Sequence, residues 1–197
     1  MKVVKDIIFY ILSFTWGILM SLIGLITAIA LLITGHKPCL FHNRIHFKVG
    51  DYWGGLEMGP IFITDNQPNL HIKQHECGHG IQNIILGPFM PFVVSIPSAI
   101  RYWLREMKTQ KSKYLYSVIL CIILWSICIG LIIVGKFFWI PLSIIGGLLL
   151  IYFIIIFIWL IVKEIPKYKN NTYVSYDSIW FEGTATKLGE KYFPTED

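Results

Sequence analysis

The chain has 197 residues, of which 55% are hydrophobic and only 15% charged, with a formal net charge of +5. Soluble domains carry roughly 45–50% apolar and about 25% charged residues, so the composition excludes an ordinary soluble globule, and intrinsic disorder with it. The Lys and Arg residues sit beside apolar runs and form no basic face interleaved with aromatics, which removes nucleic acid as a partner and leaves them as flanks of membrane segments.

Residues 7 to 34 carry no charged side chain. A hydrocarbon core of about 30 Å needs roughly 20 helical residues, so this stretch predicts one tilted transmembrane span. Lys2, Lys5 and the triplet Ala28-Ile29-Ala30 imitate a signal peptide. The apolar stretch before the triplet far exceeds the roughly 7–15 residues of a signal core, and the segment is expected to stay as an anchor. The polar section from 35 to 80 has turn signals at Gly50-Asp51, Gly54-Gly55 and Asp65-Asn66, which bracket a β-prone run, Ile61 to Thr64, expected as a strand or hairpin. His36, His42 and His46 fall among basic residues there and are expected at lipid headgroups rather than on a metal.

The stretch from Ile81 to Ile100 is apolar but interrupted by Gly87-Pro88, Pro91 and Pro97. Interior prolines remove backbone bonds that lipid cannot replace, so a re-entrant segment shielded by protein is expected. Two further uncharged runs, 114 to 135 and 137 to 162, are separated by Lys136 and predict a transmembrane helical hairpin. Cys121 and Cys128, seven apart, share a helix face there as packing residues. With Cys39 and Cys77 they show no C-x-x-C spacing, which argues against a disulfide framework and a cysteine zinc site. The polar tail contains a predicted helix from Ser178 to Lys191 with Asp177 as N-cap.

Basic loops stay cytoplasmic. Arg101, Arg105, Lys108, Lys111 and Lys113 precede the hairpin and Lys163, Lys167 and Lys169 follow it, so both its ends lie inside. Around the first span, Lys2 and Lys5 compete with Lys37, Arg44 and Lys48, and charge alone leaves its orientation open.

His75-Glu76-Cys77-Gly78-His79 carries the chemistry. Residues four apart on a helix share one face about 6 Å apart along the axis, so two imidazoles can converge on one zinc ion with Glu76 beside it as base. Cys77 then points away. Catalytic zinc takes three protein ligands and keeps one open position, so a third ligand must come from elsewhere. Glu182 is the candidate in the tail, on a helix whose small residues can pack against the motif helix. If all three hold one ion, motif and tail share the cytoplasmic side and the chain before residue 7 lies outside. His71, four residues before His75, is expected as an interfacial or neighbouring residue.

H-E-x-x-H followed at long range by Glu182-x-x-Ala185-x-x-x-Gly189 resembles the gluzincin metallopeptidases, in particular the membrane-bound group related to prenyl-protein and stress-response zinc proteases. The chain also resembles small uncharacterised bacterial membrane proteins in which H-E-x-G-H-x-x-Q (His75 to Gln82) leads into L-G-P (Leu86 to Pro88) and I-P-S (Ile96 to Ser98). The resemblance implies His75, His79 and Glu182 as zinc ligands and Glu76 as the base that takes a proton from the attacking water. The metallopeptidase pattern places an Asp four residues after the third ligand, where this chain has Thr186. A hydroxyl is a weaker anchor for a ligand histidine, and Asp177 is a possible substitute. Tyr173, Tyr176 and His71 are candidates for stabilising an oxyanion, and Ile61 to Thr64 for holding an extended substrate.

The expected protein is a mainly α-helical integral membrane protein with about three transmembrane helices, a re-entrant segment and a small zincin-like α+β unit. Its parts are an anchor (1–34), the zincin-like unit (35–113), a transmembrane hairpin (114–162) and a tail (163–197) supplying the third ligand. The expected activity is zinc-dependent hydrolysis of a peptide or membrane-proximal protein at the cytoplasmic face of a bacterial inner membrane. Two rivals stand beside it: an intramembrane protease with Asp177 as third ligand, and a membrane protein whose metal is structural.

Overall fold

A computed structural model describes residues 2–171 and 174–195. It is mostly helical, with one small four-stranded sheet and two to four candidate membrane spans. The chain divides into two compact units, Met1–Ile96 with Ser175–Asp197, and Pro97–Val174.

The first unit opens with helices α1 (Lys2–Phe14) and α2 (Ile18–Ile33), bent by 93° at a short break. The uncharged run expected as one tilted span is therefore two short helices. A kink needs a local cause and substitute partners for the backbone. Ser21 Oγ donates to the Ser13 carbonyl at 2.7 Å across the break, and Gly17 N–H donates to the Leu12 carbonyl at 2.8 Å.

The sheet contains β1 (Cys39–Phe41), β2 (Arg44–Lys48), β3 (Gly55–Met58) and β4 (Ile61–Thr64) in the order β1-β2-β4-β3, with β2 and β4 parallel and the other pairs antiparallel. Side chains alternate between its faces. Phe47 and Ile61 pack with Ala28 of α2 on one side, and Phe62 packs with Phe41, Cys77 and Phe193 on the other. The predicted strand Ile61 to Thr64 is present but lies inside the sheet, paired on both edges. It has no backbone edge left to offer a substrate. The outer strand on that side is β3.

His46 departs from the headgroup expectation as well. It is buried, its ring stacks on Phe62 at 4.4 Å, and its nitrogens meet Cys39 Sγ at 3.3 Å and Thr64 Oγ1 at 2.7 Å.

Helix α3 (Leu70–Leu86) covers the Phe62 face. Asn69 caps it, its Oδ1 accepting from Ile72 N–H at 2.9 Å, as N-cap side chains do for orphan donors. Helix α7 (Trp180–Tyr192) packs along α3 with almost no side chain between the backbones. A Cβ on Gly78 would collide with the Ala185 carbonyl, and one on Gly189 with the Gln74 carbonyl. The tail helix starts two residues later than predicted. Tyr176–Ser178 forms a separate 3-10 turn, so the cap position falls to Ile179, whose side chain makes no capping bond, and not to Asp177.

The apolar stretch after α3 passes through a 3-10 turn (Gly87–Phe89) and a π turn (Pro91–Ser95), each with a proline in its first positions. The second unit holds most of α4 (Ile96–Glu106) and the hairpin of α5 (Gln110–Phe138) and α6 (Ile140–Trp159). Its two long apolar helices, Gln110–Phe138 and Ile140–Lys169, are long enough to cross a membrane. Cys121 and Cys128 are buried there as free thiols. Fully buried Glu164 accepts from Arg101 Nε at 2.6 Å and Lys167 Nζ at 2.7 Å, so its charge is paired.

Candidate metal centre

One turn of α3 separates His75 from His79, and the first turn of α7 brings Glu182 to the same point. Nε2 of His75, Nε2 of His79 and Oε2 of Glu182 form a triangle with all three edges at 3.1 Å. Ligand atoms about 2.0–2.1 Å from a tetrahedral ion stand about 3.3–3.4 Å apart, so this triangle is close to one face of such a site. All three residues are buried, Glu182 completely. Among the described residues they form a group that could hold a metal ion.

The far nitrogen of each imidazole is anchored. Gln82 Nε2 donates to the Phe181 carbonyl at 2.7 Å, which can only accept, so the amide oxygen faces His79 Nδ1 at 2.7 Å. That oxygen also only accepts. His79 therefore carries its proton on Nδ1 in the neutral form and presents the Nε2 lone pair to the centre. His75 Nδ1 meets Thr186 Oγ1 at 2.9 Å, and Asp177 Oδ1 lies 4.0 Å from the same nitrogen. Thr186 thus occupies the anchoring role at the position where the metallopeptidase pattern has Asp. Asp177 is on the Nδ1 side of His75, away from the triangle.

Electrostatics bind the group together. Burial opposes a charge on His79, but its bond to Glu182, the charges of Glu182 and Glu76, and the bond to Gln82 outweigh it and hold the pKa up to about 9. Burial pushes Glu76 above the ordinary carboxylate range, against the pull of His75 and His79. The Glu57 backbone N–H bonds to Glu76, and Gly55 sits directly over its carboxylate: a Cβ there would be 2.6 Å from Oε1. Strand β3 thus lies against Glu76. Glu57 itself is buried, and burial pushes its carboxyl up to about 8 while Oε1 accepts from Gly59 N–H at 2.5 Å.

Of the other candidates, the His71 ring lies 6.4 Å from that of His75 and its Nδ1 is 3.9 Å from Glu190, so it stays outside the triangle. The Tyr176 ring is 6.0 Å from His75. Tyr173 lies outside the described residues. Cys77 points into the apolar core beneath α3, as the helical periodicity requires. The sequence offers Gln82 only as the last position of the H-E-x-G-H-x-x-Q pattern and Gly55 only as part of a turn signal, and it does not single out Glu57. The spacing of three between His79 and Gln82 was a visible signal, since such residues are neighbours on a helix. The other two become adjacent to the motif only through the sheet. No family model matches this chain, and neither does any curated protein or solved structure.

Proposed function

We propose that the protein is a membrane-anchored zinc metallopeptidase that hydrolyses a peptide or a membrane-proximal protein segment. One observation carries the reading: two imidazole nitrogens and a carboxylate oxygen converge within 3.1 Å of one another while a fourth group, Glu76, is buried beside them. Two nitrogens and one carboxylate are a donor set that would hold zinc, with His75, His79 and Glu182 as its ligands. When bound, the ion polarises a carbonyl and lowers the pKa of water. Glu76 takes the proton of the attacking water at its carboxylate and delivers it to the leaving amine nitrogen, work for which a raised pKa suits it. Gln82 and Thr186 keep the two Nε2 atoms aimed inward.

Strand β3 supplies a docking edge. Asp65 N–H donates to the Gly54 carbonyl at 3.0 Å, so the alternation of an antiparallel ladder turns the backbone groups of Gly55 and Glu57 away from β4. Glu57 N–H is taken by Glu76. The Gly55 groups and the Glu57 carbonyl face outward to pair with an extended chain next to the base. Because motif and tail belong to one unit and the tail leaves the hairpin on its basic side, we place the site at the cytoplasmic face of a bacterial inner membrane.

The test is bound zinc and peptide hydrolysis in the wild type and in Glu76→Gln. The variant should keep its zinc and lose about 10²–10⁴-fold in rate. Undiminished cleavage would remove Glu76 as the base. Thr186 at the anchoring position favours one rival, a structural metal site. That rival gains if the zinc-loaded wild type cleaves neither peptides nor membrane-protein segments. The Asp177 rival is tested by Asp177→Ala and Glu182→Ala. Only the second should lose zinc.

A further inference from the structure

We infer that α1 and α2 do not cross the membrane but form a platform lying on the lipid surface, so that the start of α1 and strand β1 share one side. The inference is independent of any catalytic role for the metal centre.

Three observations carry it. First, α2 lies lengthwise on the sheet: Ser21 abuts Gly59, Gly24 abuts the Met58 carbonyl, and Ala28 packs on Phe47 and Ile61. A membrane span in this position would draw into hydrocarbon an open sheet whose outer strands β1 and β3 have, among the described residues, no neighbouring strand on one side, and lipid does not satisfy backbone groups at such edges. Its 16 residues also measure only about 24 Å, short of the hydrocarbon thickness of about 30 Å.

Second, α1 is fastened flat to the polar part of the same unit. Tyr10 Oη donates to the Asn43 carbonyl at 2.5 Å, Asn43 Nδ2 donates to Asp6 Oδ2 at 2.9 Å, and the Arg44 guanidinium lies over the Phe9 ring. A helix held at Asp6, Phe9 and Tyr10 by the β1–β2 turn stays on the side where that turn is. Third, the faces turned away from these contacts are apolar and uncovered. Val4, Ile8 and Ile11 of α1 are 59%, 49% and 57% exposed, and Ile26, Ile29 and Ile33 of α2 are 68%, 49% and 81% exposed. An amphipathic helix lying in the membrane interface has this form, with one apolar face toward acyl chains and a polar face toward the protein.

Charge agrees. Lys5 on one side of the uncharged run and Lys37, Arg44 and Lys48 on the other compete if the run crosses the bilayer. With both flanks at one face the basic residues on either side of the run no longer oppose one another. The occupant of the platform is the bilayer to which the hairpin of the same chain is anchored.

The full-length protein in sealed vesicles of both orientations tests this with a membrane-impermeant maleimide read out by mass spectrometry. Native Cys39, which is exposed, reports β1, and Lys5→Cys in a Cys39→Ser background reports the start of α1, with Lys136→Cys marking the far face. Cys39 and Lys5→Cys should react from the same face. Reaction from opposite faces overturns the inference, as does a Lys5→Cys thiol that reacts only in detergent. Nitroxides at Val4, Ile8 and Ile11 give a second reading. They should sit at one shallow depth in the lipid, whereas a steady descent of about 10 Å from the first to the last, the rise of seven helical residues, would overturn it.

Discussion

Exchanging Gln82 for Leu removes the acceptor that faces His79 Nδ1 among the described residues, and with it the bond that selects the tautomer. Losses of this kind cost about 10–100-fold in metal affinity, and competition with a chromogenic chelator should show a drop in that range with the fold intact. Thr186→Val should act on His75 in the same direction but more weakly, because Asp177 remains 4.0 Å from the same nitrogen. The pH dependence follows from His79. A metal ligand must be neutral, yet in the metal-free protein this imidazole has its pKa raised from 6.5 to about 9 and is protonated at neutral pH. Binding a cation then expels one proton. Apparent affinity should climb about tenfold per pH unit up to about pH 9 and level off above it. Calorimetry at pH 7 in buffers of different ionisation enthalpy would show the released proton, and a titration with no buffer dependence would refute it. The sign for the metal-free fold is opposite. A raised histidine pKa stabilises fully below about 6.5 and that contribution is lost as pH rises through 9.

The contact between α3 and α7 is where a small change of volume reaches the His75–His79–Glu182 triangle. Gly189→Val places a branched side chain against the Gln74 backbone, which cannot yield as a flexible side chain would. Overpacking of this kind costs about 1–3 kcal/mol, and Glu182 moves with the displaced helix. Zinc content should therefore fall along with melting temperature, while Gly130→Ala, at a position with open space, should change neither. The same pair of helices shows what was legible in the sequence. A spacing of four placed His75 and His79 on one face by periodicity alone, and the small residues Gly183, Ala185 and Gly189 marked the tail helix as one that approaches a neighbour closely. Strand β3 was hidden because Gly55-Leu56-Glu57-Met58 lacks the β-branched pattern of a strand. Its place is set by the two-residue turn at Gly59-Pro60, where Gly59 adopts a φ of 76°. The bend between α1 and α2 was hidden for a different reason. Hydropathy records that a run is apolar but not its direction, and the uncharged stretch from 7 to 34 reads alike straight or folded at Gly17. His46 was misplaced because its partners, Phe62 and Thr64, lie on a strand that is distant in sequence.

At the scale of the molecule, the first unit is made of two chain segments that the second unit separates, and the triangle joins them: His75 and Glu182 are 107 residues apart. An ion that binds only the assembled triangle stabilises that assembly by linkage, about 2.7 kcal/mol at a free concentration one hundred times its dissociation constant. The stabilisation falls on the docking of α7 against α3, not on the hairpin, whose helices contribute no ligand. Chelation should therefore loosen the tail selectively. Lys187 and Lys191 of α7 should become faster sites for trypsin when the metal is stripped, whereas cleavage at Lys136, in the hairpin, should not change. Glu182→Ala should reproduce the fast cleavage with or without chelator, since its triangle lacks the carboxylate that ties the tail to the motif. If chelation accelerated all of these sites equally, the ion would be acting on the whole chain. If it accelerated none, α7 would be held by the Gly78–Ala185 and Gln74–Gly189 contacts alone, and the metal would be a passenger in a site already closed by packing.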